Sequence, residues 1–330
     1  VPKSIAIIGA GLAGLTLGQR LKPQANVTIF EKSRGLGGRM ATRRREECAF
    51  DHGAQYFTAR SERFRTLVRE AMIAGSLAEW PAAVPTLTGP AQLATDGRSG
   101  EARYVGAPAM TGLANHMARG LEIQREITIT PLISEENGWR LRDQDQRDLG
   151  RFDLVISTAP APQTARLMPQ AFSGHAALAE VRLSGCFTLM IGLEIAPQLG
   201  FEAARIDDEI LSFMAVNSTK PGRPGKPALV VHSRNDWAEA NLESDRGAVT
   251  EQMLASLENR TGVNFRQAPW IDLHRWRFAN VEQAAGEPFL FDPALGLGAC
   301  GDWCIGNRVE AAFQSASALA DLLTTILAEG

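Results

Sequence analysis

The residues whose types and spacing could do chemistry begin near the N-terminus. Gly9, Gly11 and Gly14 form G-x-G-x-x-G between an apolar run, SIAIIG, and a segment of helical periodicity, LTLGQRLK. In such a pattern the first glycine allows a tight turn, the second lets the backbone approach a pyrophosphate, and the third lets helix and strand pack closely. The unpaired N–H groups and positive end of the helix then favour phosphate. NVTIFEK supplies a second strand that ends in Glu31, seventeen residues after Gly14. A carboxylate there hydrogen-bonds a ribose diol, and its charge disfavours a 2′-phosphate. Strand, glycine turn, helix, strand and terminal acid together predict a dinucleotide-binding βαβ unit.

A second glycine pair, Gly37-Gly38, follows six residues after Glu31 and leads into Arg39. A plain nicotinamide dehydrogenase needs nothing more at this point. GLGGRM resembles the FAD-binding oxidoreductases of the amine-oxidase type, in which an arginine reaches the cofactor phosphates. Arginine suits that task because its planar fork holds oxygens bidentately. In that family the chain returns late to place a Gly-Asp beside the ribityl chain, followed by a helix aimed at the flavin. Gly301, Asp302 and a helix starting near residues 308–310 fit the layout. A helix N-terminus stabilises negative charge by about 0.3–1 kcal/mol, so it would tune a flavin rather than create its chemistry.

A closer resemblance covers nearly the whole chain. IAIIGAGLAG, GGRMAT, DHGAQYFT, FDLVISTAPAP, LVVHS, HRWRFA and GACGDW together resemble the renalase family, and DHGAQYF is the most specific of them. The resemblance implies cofactor contacts from Ala13, Arg39, Gln55 and Tyr56. With Gly9, Gly11, Gly14, Glu31, Lys32, Gly38, Ile127, Gly301, Asp302 and Val309, these make the expected FAD site. It also implies an oxidase that returns misformed 2- and 6-dihydro isomers of NAD(P)H to NAD(P)⁺ and passes the electrons to molecular oxygen, giving hydrogen peroxide. The match weakens in the loops at 80–103 and 195–227.

That chemistry requires no acid or base from the protein. Hydride loss from a dihydropyridine is driven by its own ring nitrogen, flavin N5 accepts the hydride, and the site mainly orients the two rings. Tyr56, Trp276 and Trp303 are candidate flat walls, and His232 is a candidate hydrogen-bond partner for a carboxamide or the flavin edge. An oxidase of amines or polyamines is the alternative from the same superfamily. Such enzymes commonly carry a lysine that reaches flavin N5 through water. The only lysines in the expected substrate domain are Lys220 and Lys226, both in a Pro/Gly-rich loop, a poor place for a pre-organised group. A flavin-binding redox sensor without turnover is the alternative from another class.

The elements that must position these residues suggest an α/β fold, α+β overall. We expect a Rossmann-type FAD-binding domain of residues 1–57, 104–162 and 281–330. A substrate domain of residues 58–103 and 163–280, built on an antiparallel sheet, is inserted into it. Residues 109–120 read as a helix, 126–133 as a strand, a turn at Asn137-Gly138 leads to a hairpin partner, and 154–158 read as a buried strand. A helix spans 309–327, with Asn307 and Glu310 spaced as a capping box.

Composition is that of an ordinary globular protein of 330 residues, 45% hydrophobic and 22% charged, with a net charge of −3. That balance argues against a general nucleic-acid or membrane-surface binder. The one dense basic run, Arg43 to Arg45, reads as a solvated loop, with an anion-attracting rim as the other reading. Four scattered cysteines form no disulfide framework and no metal spacing appears. With no basic leader and no apolar stretch of about 20 residues, a soluble cytoplasmic protein is expected. The FAD is expected to be non-covalent, with His52 and Cys304 unused as attachment points.

Overall fold

The computed structural model describes all residues except 1, 46, 91, 95–99, 137, 224 and 330. Its first layer is a six-stranded sheet. The order is Leu290–Asp292, Leu297–Ala299, Leu154–Ser157, Ser4–Ile8, Asn26–Glu31 and Glu122–Arg125, parallel except for the first strand. Ile5 and Ile7 face one apolar cluster, with the helices Leu12–Leu21 and Val309–Glu329. Ala6 and Ile8 face another, with Trp139, Leu141 and Phe152 of a three-stranded antiparallel sheet. Burial on both faces is why SIAIIG reads as a continuous apolar run instead of an alternating one.

The second layer is a seven-stranded sheet. Its order is Trp270–Gln283, Arg182–Gly192, Ala228–Ser233, Leu211–Val216, Ala203–Ile206, Thr86–Gly89 and Gln92–Ala94. One face carries Phe187, Leu189, Ile191, Leu229 and Val231, packed on the helix Arg246–Thr261. The alternate residues Met190, Ala228 and Val230 point the other way, onto Phe50 of the hairpin Thr42–Arg45/Cys48–Asp51. On that same side cross-strand register aligns His274, Thr188, His232, Phe213 and Arg205 in one transverse row. In-register residues on adjacent strands share a face, so residues far apart in sequence meet there.

Several expectations are corrected. The strand read at 126–133 lies earlier, at Glu122–Arg125, where it pairs with Thr28 to Glu31; Glu126 at φ 62° turns the chain out of the sheet, and Ile129 makes one isolated bridge to Asp143. Asn137 lies outside the described residues, although the strands around it do pair, Ile133–Glu135 with Gly138–Arg142. The helix expected at 109–120 is confined to Gly112–Met117. Arg43 to Arg45 form a strand, not a loop, because Arg43 and Arg45 pair with Phe50 and Cys48.

Glu310 does not close a capping box with Asn307. Its carboxylate accepts N–H groups of Arg60 (2.9 Å) and Ser61 (2.6 Å), at the start of the helix Glu62–Ile73. That helix packs Phe64 on Phe313 of the C-terminal helix, so residues 58–103 divide between the layers, Thr86–Gly89 and Gln92–Ala94 going to the seven-stranded sheet. The proposed division at 162 likewise falls inside the helix Ala161–Leu167, and Met168, Phe172 and Leu178 pack with the six-stranded sheet. By length and composition Val309–Glu329 is apolar enough to cross a membrane, contrary to the expectation of no such stretch. Here Ala311, Phe313, Ala316, Leu319 and Leu323 bury one face in the core.

Candidate functional site

The glycine turn is built by close contact. Gly9 sits at φ +108°, and a Cβ on Gly14 would lie 1.9 Å from the Gly9 carbonyl oxygen, so neither position accepts a side chain. Gly11 is different: nothing lies within 4 Å of where its Cβ would be. The open ground is where the pyrophosphate of the expected dinucleotide would approach. Both oxygens of Glu31, which is nearly buried, serve the turn, accepting the Ala10 and Ser33 N–H groups at 2.8 Å each.

The second glycine pair docks on the first. Gly37 N–H donates to the Ala10 carbonyl at 2.9 Å, and a Cβ on Gly38 would stand 3.6 Å from Gly11 Cα. Positive φ at Gly37 (+100°) and Gly38 (+55°) makes the loop hug that turn. Arg39 then reaches across to the late-returning chain, bonding the Asp302 carboxylate at 2.5 Å and the Ala279 carbonyl at 3.1 Å. The three motifs therefore converge although residues 39 and 302 are remote in sequence. Arg39→Ala should keep the fold, at some cost from the Asp302 carboxylate left without its partner, and weaken retention of the expected FAD, read as flavin lost on dialysis. Full flavin after dialysis would refute its assignment.

Beyond this cradle lies a cluster that the sequence reading missed. Asp51 is fully buried and bonds Arg223 (2.6 Å), Lys220 (3.1 Å), and Thr42 (2.6 Å). Burial opposes its ionisation, but Lys220 and Arg223 outweigh that and hold its carboxyl down at about 2. Lys220 was expected in a poorly organised loop; it is instead fully enclosed, bonded also to the Gln55 amide oxygen (3.1 Å) and set over the Trp80 ring. The loop is strapped down by Asn217, whose amide donates to the Ala49 carbonyl, and by Arg223, which also reaches the Gly106 carbonyl. Burial pushes the Lys220 ammonium down to about 8. The signal lies in DHGAQYF, whose Asp51 is the acid that gathers both cations.

Gln55 links this cluster to the transverse row. Its amide nitrogen donates to the carbonyls of Asp51 (2.5 Å) and Gly53 (3.0 Å) and lies 3.3 Å from His232 Nε2. Tyr56 borders the same region, near Phe213 and Trp80, and Phe213 neighbours His232. Trp276 is half-buried, stacked on His52 and donating to its carbonyl at 2.7 Å; His274 meets both rings edge-on. Arg43 bonds Asp272, and its guanidinium lies 3.2 Å from His274 Nδ1. Trp303 does not join this wall. It is 1% exposed, packed with Val155 and Leu297, and its indole N–H goes to the Ala159 carbonyl, so it is a core residue.

Lys32 is an exposed partner of Gln163, while Ala13, Ile127 and Val309 line or border the core beside the cradle. Gly301 donates its N–H to Ser315. His52 is buried and Cys304 fully so, and burial pushes the Cys304 thiol up to about 12, which does not favour a thiolate there. Among the described residues no group of His, Cys, Asp or Glu is arranged to hold a metal.

The three clustered histidines are held neutral. Burial and Lys220 push His232 down to about 3, burial and Arg43 push His52 to about 4, and burial and His52 push His274 to about 4. The unfolded chain takes up these protons near pH 6.5, the folded chain not until well below it. Stability therefore falls as pH drops from about 6.5 towards 4, by up to about 1.4 kcal/mol per pH unit for each histidine. Denaturant midpoints of flavin-free protein across that window should show the slope, and His232→Gln should remove one histidine's share of it.

Comparison with known proteins agrees with this geometry. A family of NAD(P)-binding Rossmann-like domains matches residues 7–71, the glycine turn through the helix that Glu310 caps. Mouse (Mus musculus) renalase is 22% identical over 306 residues, 86% of each chain. Over most of its length, then, the chain is similar to renalase. Its fold is also that of a provisionally named protoporphyrinogen oxidase from Exiguobacterium, with a TM-score of 0.78 at 14% identity over 99% of both chains. A putrescine oxidase bound to putrescine follows at a TM-score of 0.74 and 11% identity, over 98% of this chain and 99% of that one. The α/β fold expected from the sequence is thus the observed one.

Proposed function

We propose that this chain is an FAD-dependent oxidase of misformed dihydronicotinamide dinucleotides. One hydride leaves the 2- or 6-dihydro ring to give NAD(P)⁺, and its two electrons, with a proton from solvent, reduce O₂ to H₂O₂. FAD would supply the hydride acceptor and the route to oxygen. The residues fit that cofactor: open ground at Gly11, Glu31 at the end of the second strand with both oxygens holding the glycine turn, and Arg39 with Asp302 at the middle of the cradle. The chain's own part is to orient and to exclude water.

The observation that carries the choice of substrate is the local charge. Asp51 answers two buried cations, Lys220 and Arg223, and Asp272 answers Arg43 and Arg246, leaving each group one positive charge in excess. A positive field attracts a dinucleotide's phosphates and repels an ammonium. A polyamine oxidase is the second reading, favoured by the pre-organised Lys220, which removes the argument that no such lysine exists. The test is an anaerobic reductant screen on the flavin-loaded protein. Rapid bleaching by micromolar 2-dihydro-NAD, with peroxide on aeration, supports the proposal. Bleaching only by a polyamine would overturn it, and a flavin oxidised under every reductant would leave a redox sensor.

A further inference from the structure

Most arginines of the site are already committed. Arg43 and Arg246 share Asp272, and Arg223 is buried on Asp51. Arg103 differs: its guanidinium lies over the Tyr56 ring, 5.4 Å from the centroid, and among the described residues it donates only to the Ala82 carbonyl, at 3.2 Å. Among the described residues no carboxylate bonds it. Glu101, which feels its field, is bonded at 2.6 and 2.9 Å to Arg60.

The backbone under Arg103 is fixed. Its carbonyl accepts the Trp80 N–H at 2.8 Å, and the next residue, Tyr104, exchanges two backbone bonds with Phe57. Tyr56 therefore joins two chemistries, the aromatic row through Phe213 and a planar cation whose donors, among the described residues, meet only one carbonyl. Arg308, exposed at the start of the C-terminal helix, adds its charge to the same Glu101. A guanidinium with unused donors on the aromatic wall of a site suits one ligand feature above others, a phosphate taken bidentately.

We propose that Arg103 binds the diphosphate of the dinucleotide substrate and so sets the preference for dinucleotides over smaller dihydronicotinamides. This rests on the substrate reading above. The test compares the flavin-loaded parent with Arg103→Gln on two reductants, 2-dihydro-NAD and an N-methyl dihydronicotinamide that lacks ribose and phosphate. The variant should raise KM for the dinucleotide roughly tenfold or more, the scale of a lost charged hydrogen bond. Its KM for the truncated compound should change less than about twofold, and kcat for both should hold. Equal changes for both reductants, or no change for either, would overturn the assignment.

Calorimetric titration with ADP tests the same contact without turnover. Parent should bind ADP and Arg103→Gln should lose about tenfold, whereas equal affinity for both proteins refutes the role of Arg103. If neither reductant bleaches the flavin but the ADP difference remains, the redox reading fails and the phosphate site stands. Should Arg103→Gln not retain flavin, Arg103→Lys supplies the comparison, since it keeps the charge but not the planar fork, and it should fall between the two.

Discussion

Asp51→Ala is expected to destabilise the flavin-free protein by about 3–5 kcal/mol, the cost of leaving buried charge without its partner. Lys220 and Arg223 are both enclosed around that one carboxylate, which also receives Thr42 and the Met110 N–H. Without it, Lys220, already pushed down to about 8 by burial, loses the attraction that keeps its proton on. The strap at 217–226 loses its anchor, and with it the alignment of Gln55 and His232. Urea denaturation would measure this, and a cost below about 1 kcal/mol would sink the account. The linkage has a definite sign. Asp51 is held at about 2 in the folded chain against an ordinary 3.8, so it contributes roughly 2 kcal/mol that is present above pH 4 and lost as pH falls towards 2.

The second large effect separates two glycines of one motif. Gly14→Ala sets a Cβ 1.9 Å from the Gly9 carbonyl oxygen, backbone against a strand end that cannot move far, so the turn must open. We expect both a loss of stability and a protein purified without flavin. Gly11→Ala meets nothing within 4 Å, and its backbone at φ −75° suits alanine. The fold should hold to within about 0.5 kcal/mol, while the new methyl stands where the pyrophosphate approaches. FAD affinity should then drop at least tenfold, about 1.4 kcal/mol. Thermal unfolding without flavin, together with FAD titration, distinguishes the two. A Gly11→Ala protein that binds FAD at parental affinity would place the pyrophosphate elsewhere.

How much was legible follows from the range of each interaction. The cradle could be read because its parts are local: a strand, a turn too tight for side chains, a helix and an acid occur within the first 31 residues. The second pair was legible as a motif but not in its purpose, which the Gly37-to-Ala10 bond and the contact of Gly38 with Gly11 supply. Arg43 illustrates the limit: a run of arginines looks like a solvated loop until strand pairing and Asp272, far along the chain, claim one of them.

The sequence alone determined a glycine-rich βαβ unit of dinucleotide-binding type in an α/β fold, a resemblance to the renalases, and a second sheet expected to be antiparallel, in which the pair Ala203–Ile206 and Thr86–Gly89 is in fact parallel. Periodicity and glycine spacing act over a few residues, and they survive without any knowledge of neighbours. Only the tertiary structure decided that Lys220 is a buried, pre-organised cation, that Trp303 belongs to the core, and that Arg103 has no acid partner among the described residues. Lys220 and Asp51 lie 169 residues apart, and the bond between them exists because a sheet face, a hairpin and a proline-rich strap close on one another. Burial and pairing of charge are properties of that closure, and no local pattern of residues encodes them.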